Sequence, residues 1–312
     1  MSGLTRRHRK QRTVSALSQF FHNNFFKTEK PPALCQCQDE KTRKPCPNLA
    51  NPKSLFCSNH QMCKPAPKNG YEPKYNPDRY NSDPSIYKSH NCYSYSMDVV
   101  DPLLVKQCRN TLKKNTCRQS FHQPGALNGD RYTLNIETRR TCPVVEKLMI
   151  SDVPEVSRSS FYGNCPIGKS KIALVVDPGE DYHYYRMDNS EIENKNNQPW
   201  DKNKIKSYYD MYNIQPNQNL WSHKDGSNKV KRYDALKRPI VNPQLASRDY
   251  RWQGSDLNYE DFCGFYCVPR ETAVHLGQGG ASKKKKTRKA VKAVKAEKAE
   301  KAVARAKTRR LK

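Results

Sequence analysis

Three residues far apart in this sequence have side chains suited to acting together. Cys92 lies in "SHNCYSYSMDVV" (89–100) with no second cysteine in the next turn, His183 lies in "DYHYYRMD", and His223 lies in "WSHKDG". A thiol becomes a nucleophile when it is ionised near neutral pH, which a helix start and a neighbouring imidazole achieve together. Cys92 heads a predicted helix and meets the first condition. His183 and His223 are the two candidates for the second. The competing reading is a buried core cysteine and two strand histidines packed among Trp221, Tyr182, Tyr184 and Tyr185.

A second group of chemically competent residues lies in "CQCQDEKTRKPCPNLANPKSLFCSNHQMC", which offers Cys35, Cys37, Cys46, Cys57, His60 and Cys63. Four thiolate or imidazole ligands within about 30 residues suit a closed tetrahedral zinc site. The expected ligands are Cys37, Cys46, Cys57 and His60, with Cys35 and Cys63 spare, either to substitute for a ligand or to pair with each other. Twelve cysteines without a secretion signal predict a reducing compartment, where such clusters hold metal rather than form disulfides. Cys263 and Cys267, by contrast, alternate along a strand onto one face and predict a disulfide or core packing.

The elements that must position these residues are legible in outline. "KIALVVD" (171–177) and "DYHYYRMD" (181–188) read as a hairpin across a Pro-Gly turn, "NLWSHKDG" (219–226) as a further strand, and "FCGFYCVP" (262–269) as the last. A helix is expected directly after Cys92, its first leg limited by Pro102. The fold class is therefore α+β with an antiparallel sheet. The chain divides into a basic arm (1–30), a zinc module (31–64), a Pro/Asn/Tyr-rich linker (65–87), a body (88–275) with a polar insertion (189–219), and a Lys/Ala-rich tail (276–312) that follows the hinge "GQGGAS".

Charge separates the ends from the middle. The net charge is +27 over 312 residues, and residues 283–312 alone hold fifteen Lys/Arg against two Glu. Lys283, Lys284, Lys285, Lys286, Arg288, Lys289, Arg309 and Arg310 are the candidate polyanion contacts. The tail's lysines recur every third residue and drift around a helix, so no apolar stripe forms and insertion into lipid is not favoured. Its binding to phosphate-rich partners would be sequence-blind and salt-sensitive, unless it is only a solvated tail. No run of about 18 apolar residues is present, so no transmembrane segment is expected.

Two segments resemble proteins of large DNA viruses. The spacing Cys-x8-Cys-x10-Cys-x2-His, with Thr42 and Arg43 before the second cysteine and Phe56 before the third, resembles a short viral zinc module. In the body, Asn91–Tyr95, Gln123–Gly125, Asp181–Arg186, Trp221–Gly226 and Phe262–Pro269 resemble a chlorovirus-like virion protein family. The order of helix cysteine, strand histidine and polar residue on the next strand is also similar to the NlpC/P60 branch of papain-like thiol hydrolases. That resemblance implies Cys92 as nucleophile, His183 as base, and His223 or Asp181 as orienting group.

Two functional readings follow, with a third beside them. In the first, the chain is a structural virion protein, a minor capsid or capsid-associated component made in host cytoplasm. Its partners would be other capsid proteins, and its basic ends would reach the DNA genome or an anionic membrane surface. Tyrosine, at 18 residues, suits extended contact surfaces. In the second, it is a virion-packaged cysteine peptidase or amidase. The third is a viral nucleic-acid-binding protein.

Overall fold

The computed structural model describes residues 29–60, 62–111, 117, 122–126, 140–189, 211, 212, 214 and 218–270. The basic arm up to residue 28, most of the insertion, and the tail with all eight polyanion candidates lie outside them.

The sheet has six strands, all neighbours antiparallel, in the order β1-β6-β2-β3-β4-β5. They are β1 Ser157–Ser159, β2 Lys169–Asp177, β3 Asp181–Met187, β4 Trp221–Lys224, β5 Val230–Lys231 and β6 Asp261–Pro269. The β2 interior is buried from end to end, as expected of a β-branched run in the middle of a sheet covered on both faces. Among the described residues five α-helices accompany it: α1 Asp78–Asn81, α2 Pro84–Ser89, α3 Cys92–Ser96, α4 Pro102–Thr111 and α5 Cys142–Asp152. The α+β class and the antiparallel sheet are as expected. The helix after Cys92 stops earlier than Pro102 alone requires. Met97 closes α3, and Asp98 takes a left-handed φ of 61° before Pro102 opens α4.

The register assigns each strand residue to a face. Tyr182, Tyr184, Leu174, Ile172 and Tyr266 meet α3 and α5 in one core, while His183, Tyr185, Val175, Ala173 and Phe265 point into the other. A bulge alters the expected alternation in β6. Leu174 pairs with Gly264 but Val175 pairs with Phe262, so Cys263 is the extra residue. Gly264 carries it with φ 146°, a conformation side-chained residues rarely adopt. Cys263 and Cys267 therefore face opposite sides: Cys263 bonds Cys142 at the start of α5, and Cys267 bonds Cys165 in the loop before β2.

Cys108–Cys117 and Cys37–Cys63 are paired as well, so eight of the twelve cysteines form disulfides. Within the cluster this corrects the expected role of Cys37, while Cys35, Cys46 and Cys57 stay unpaired beside His60, grouped as a metal site requires. The stretch 65–87 is also not a free linker. Tyr80 is buried against Tyr95, and Asn69 Nδ2 donates to the carbonyls of Cys165, Pro166 and Lys169.

His90, between α2 and α3, makes this corner sensitive to acid. Its Nε2 accepts the Asp101 N–H at 2.8 Å while Nδ1 faces the Ile86 carbonyl at 3.0 Å, so the ring is neutral with its proton on Nδ1. Burial lowers its pKa from 6.5 to about 4. The unfolded chain binds this proton more tightly, so the stability His90 contributes is present above pH 6.5 and is lost as pH falls through about 4. The loss amounts to about 3 kcal/mol. Urea unfolding at pH 7 and pH 4 measures it, and His90→Asn should flatten the slope between them.

Candidate functional site

Cys92 opens α3, whose N-cap Asn91 accepts the Ser94 N–H at 3.1 Å. β4 pairs only with Tyr185 to Met187, which leaves the first residues of β3 without a strand partner on that side. The Cys92 sulfur takes up this edge. It lies 3.9 Å from the Tyr182 carbonyl oxygen and receives the Tyr184 N–H. Burial is the largest influence on the thiol and raises its pKa far above the ordinary value, with Asp181 adding to the effect.

His183 and His223 are brought together, as the sequence suggested, but on the far face. His183 Nε2 lies 2.7 Å from His223 Nδ1, and His223 Nε2 donates to the Tyr233 carbonyl at 2.9 Å. Asp225 joins them, its Oδ1 3.0 Å from His223 Nδ1 and 3.6 Å from His183 Nε2, while its Oδ2 pairs with Lys231. Burial, followed by His223, lowers the His183 pKa to about 3, so this ring is neutral. Burial alone would raise the Asp225 carboxyl, but His223, Lys231 and His183 hold it well below the carboxylate range.

A cavity of about 320 Å³ runs round the end of the sheet and is bordered by Asn91, Cys92, Gln123, Asp181, His183 and Asp225. Cys92 and His183 thus share a cavity while the hydrogen bonds of each run elsewhere, sulfur to β3 backbone and imidazole to His223. Asp181 is no orienting group for either histidine. Its carboxylate accepts the Tyr259 hydroxyl at 2.9 Å and the Tyr182 N–H at 2.8 Å. Asp225 was missed by sequence reasoning because "KDG" reads as a turn. A carboxylate two residues after His223 was the available signal.

The other residues that carry the resemblance hold the scaffold together. Tyr93 donates to Asp152 at 3.1 Å, and Asp152 also accepts the Gly125 N–H at 2.7 Å, tying the Gln-Pro-Gly turn to α3. The Arg186 guanidinium stacks 4.1 Å from the Tyr95 ring and bonds Asp98 and Asp188. Lys224 is fully buried and donates to the carbonyls of Tyr87, His90 and Gly226, each at 2.6 Å.

The cysteine module is built by chain reversals at the bridges Leu34–Leu49 and Gln38–Pro45. It gathers Cys46, Cys57 and His60 as expected, with Cys35 as the fourth member. Cys37, the expected ligand, is instead bonded to Cys63. Cys46 and Cys57 sulfurs are 3.8 Å apart, and His60 Nδ1 lies 3.2 Å from Cys57 and 3.7 Å from Cys35. Ligands 2.0–2.3 Å from a tetrahedral ion are separated by about 3.3–3.8 Å, so these four could hold a metal ion. Burial pushes the Cys35 thiol up to about 12, and the Cys57 N–H, 3.3 Å from its sulfur, works against that by favouring the thiolate. The module seats on the body through Leu220 and Val241 and through Gln36, which bonds the Pro239 carbonyl and the Val241 N–H.

The fold and its two Cys/His clusters define an α+β body with a docked cysteine module. The chain is similar to Insoluble matrix shell protein 1 of Ruditapes philippinarum, at 27% identity over 204 residues, covering 65% of this chain and 94% of that protein. No family model and no solved structure matches it. No helix among the described residues is long and apolar enough to cross a membrane.

Proposed function

We propose that this protein is a structural component of a large assembly, in the capsid-associated setting of a large DNA virus that its motifs resemble. In this reading the body is a rigid scaffold among other shell proteins, the Cys35–Cys46–Cys57–His60 cluster holds zinc, and the basic ends meet nucleic acid or an anionic membrane surface. The observation that carries the reading is the Cys92 sulfur, seated against the β3 backbone with His183 committed to His223 on the opposite face. The similarity to a protein whose name describes an insoluble shell matrix agrees with a structural role. Four disulfides suit a protein that matures where thiols are oxidised. Quantitative mass spectrometry of salt-washed particles tests the proposal: a fixed ratio to the major shell protein supports it, and absence from the particles refutes it.

A thiol-hydrolase reading keeps one observation in its favour, the cavity that Cys92 and His183 both border. Under the structural reading, Cys92→Ala removes a core side chain and costs about 1–2 kcal/mol of stability with no activity to lose. Denaturant unfolding of the variant measures the cost. Loss of an amide-cleaving activity on the same substitution would favour the hydrolase.

Zinc in the module also has a measurable consequence. A structural site supplies on the order of 10 kcal/mol to its fold, so chelation should raise proteolysis within residues 38–62 by about tenfold or more while the sheet stays resistant. Limited proteolysis with and without chelator reads this directly. Equal cleavage would contradict a metal-held module.

A further inference from the structure

We propose a second metal site, formed by His183, His223 and Asp225, which takes a divalent transition ion of the zinc class. Three atoms converge there: His183 Nε2, His223 Nδ1 and Asp225 Oδ1, separated by 2.7, 3.0 and 3.6 Å. Ligands about 2.0–2.2 Å from a shared ion stand about 2.8–3.6 Å apart in octahedral or tetrahedral arrangement; the two separations to Asp225 fall in that range and the one between the imidazoles lies just below it.

Proton placement argues for the same occupant. The Tyr233 carbonyl can only accept, so His223 donates to it from Nε2 and turns Nδ1 inward. That is the arrangement in which a metal-ligating histidine is fixed by its outer nitrogen. His183 Nε2 and Asp225 Oδ1 converge on the same point. A cation satisfies all three at once. Lys231 neutralises the other Asp225 oxygen, Oδ2, and leaves Oδ1 for the ion.

The surroundings also leave polar demand unmet. The Tyr185 and Tyr250 hydroxyls are buried without a hydrogen-bond partner among the described residues, and both feel the charge of Asp225. The Tyr185 ring lies 5.0 Å from that of His223 and 5.1 Å from that of His183. His183 and Asp225 border the cavity, so the open side of the triangle faces it. The ion ties β3, β4 and the turn after β4 at the point where the sheet loses a strand neighbour. It also commits His183 Nε2 to the metal.

Cobalt(II) binding to the full-length, tag-free chain tests the proposal, because thiolate and nitrogen/oxygen sites differ in colour. Wild type should bind two equivalents. Cys46→Ser/Cys57→Ser should bind one, without the sulfur-to-cobalt charge-transfer band, and adding Asp225→Asn should abolish it. A second arm keeps the cysteine module intact: Asp225→Asn alone should fall from two equivalents to one with the charge-transfer band unchanged, which also reports that the chain is folded. The site is overturned if wild type binds a single equivalent with thiolate colour, or if Asp225→Asn leaves the stoichiometry as it was.

Discussion

Replacing Lys224 with methionine is expected to lower the unfolding free energy by about 3–5 kcal/mol, because it strips three buried carbonyls of their shared donor. The ammonium holds three carbonyls, those of Tyr87, His90 and Gly226, each at 2.6 Å. Methionine fills similar volume but donates nothing, leaving three buried acceptors, and each unsatisfied group costs about 1–3 kcal/mol. Relief of the ammonium's burial, which lowers its pKa to about 7, offsets part of that total. Lys224 links the end of α2 and the start of α3 to the turn after β4, so the loss should be felt as loosening around Cys92. Urea unfolding measures the cost, and a change below about 1 kcal/mol would show that the cage contributes little.

The second large effect concerns the bridge between α5 and the β6 bulge. Cys142 and Cys263 are 121 residues apart, but the intact Cys165–Cys267 bond shortens the loop their own bond closes to about 27 residues, which removes about 3.5 kcal/mol of unfolded-state entropy in the chain-entropy account. Cys142→Ala/Cys263→Ala should therefore cost about 3–4 kcal/mol, more than the roughly 2.5 kcal/mol expected for the same change at Cys108–Cys117, whose separation is 9. Thermal unfolding of the two double variants under non-reducing conditions compares them directly. Equal losses would mean that the long bridge acts through local packing rather than through the unfolded chain.

The central strands were legible because β2, β3, β4 and β6 are short β-branched and aromatic runs bounded by turn residues. Helix α5 was not, since Cys142–Asp152 is a brief apolar run with little contrast between its faces. The opposite facing of Cys263 and Cys267 was hidden by one inserted residue, although a glycine inside a strand, Gly264, is the usual mark of a bulge. In the cysteine module, spacing identified Cys46, Cys57 and His60 but not whether Cys35 or Cys37 would join them. That choice depends on how the chain folds back at Leu34–Leu49 and Gln38–Pro45, which spacing does not encode. Residues 65–87 read as a linker because proline and asparagine dominate, yet Tyr80 and Asn69 bind them to the body through contacts more than a dozen residues away.

The pairing of His183 with His223 followed from their places on adjacent strands. What sequence order could not give was the face. Tyr185 opposite His223 and Val175 opposite His183 put both rings on the side away from α3, while the Cys92 sulfur fills the β3 edge. A cysteine, a histidine and a polar residue in the order of a thiol hydrolase are therefore not by that order alone brought together on one face.

The most direct test of the scaffold account is the rate at which iodoacetamide alkylates Cys92 in the native protein across pH, resolved by mass spectrometry. A thiol buried against the β3 backbone should react far more slowly than an unfolded control at neutral pH, with no plateau below pH 8. Rapid alkylation that is already at its plateau near neutral pH would reveal a thiolate–imidazolium pair with His183 and would contradict the account.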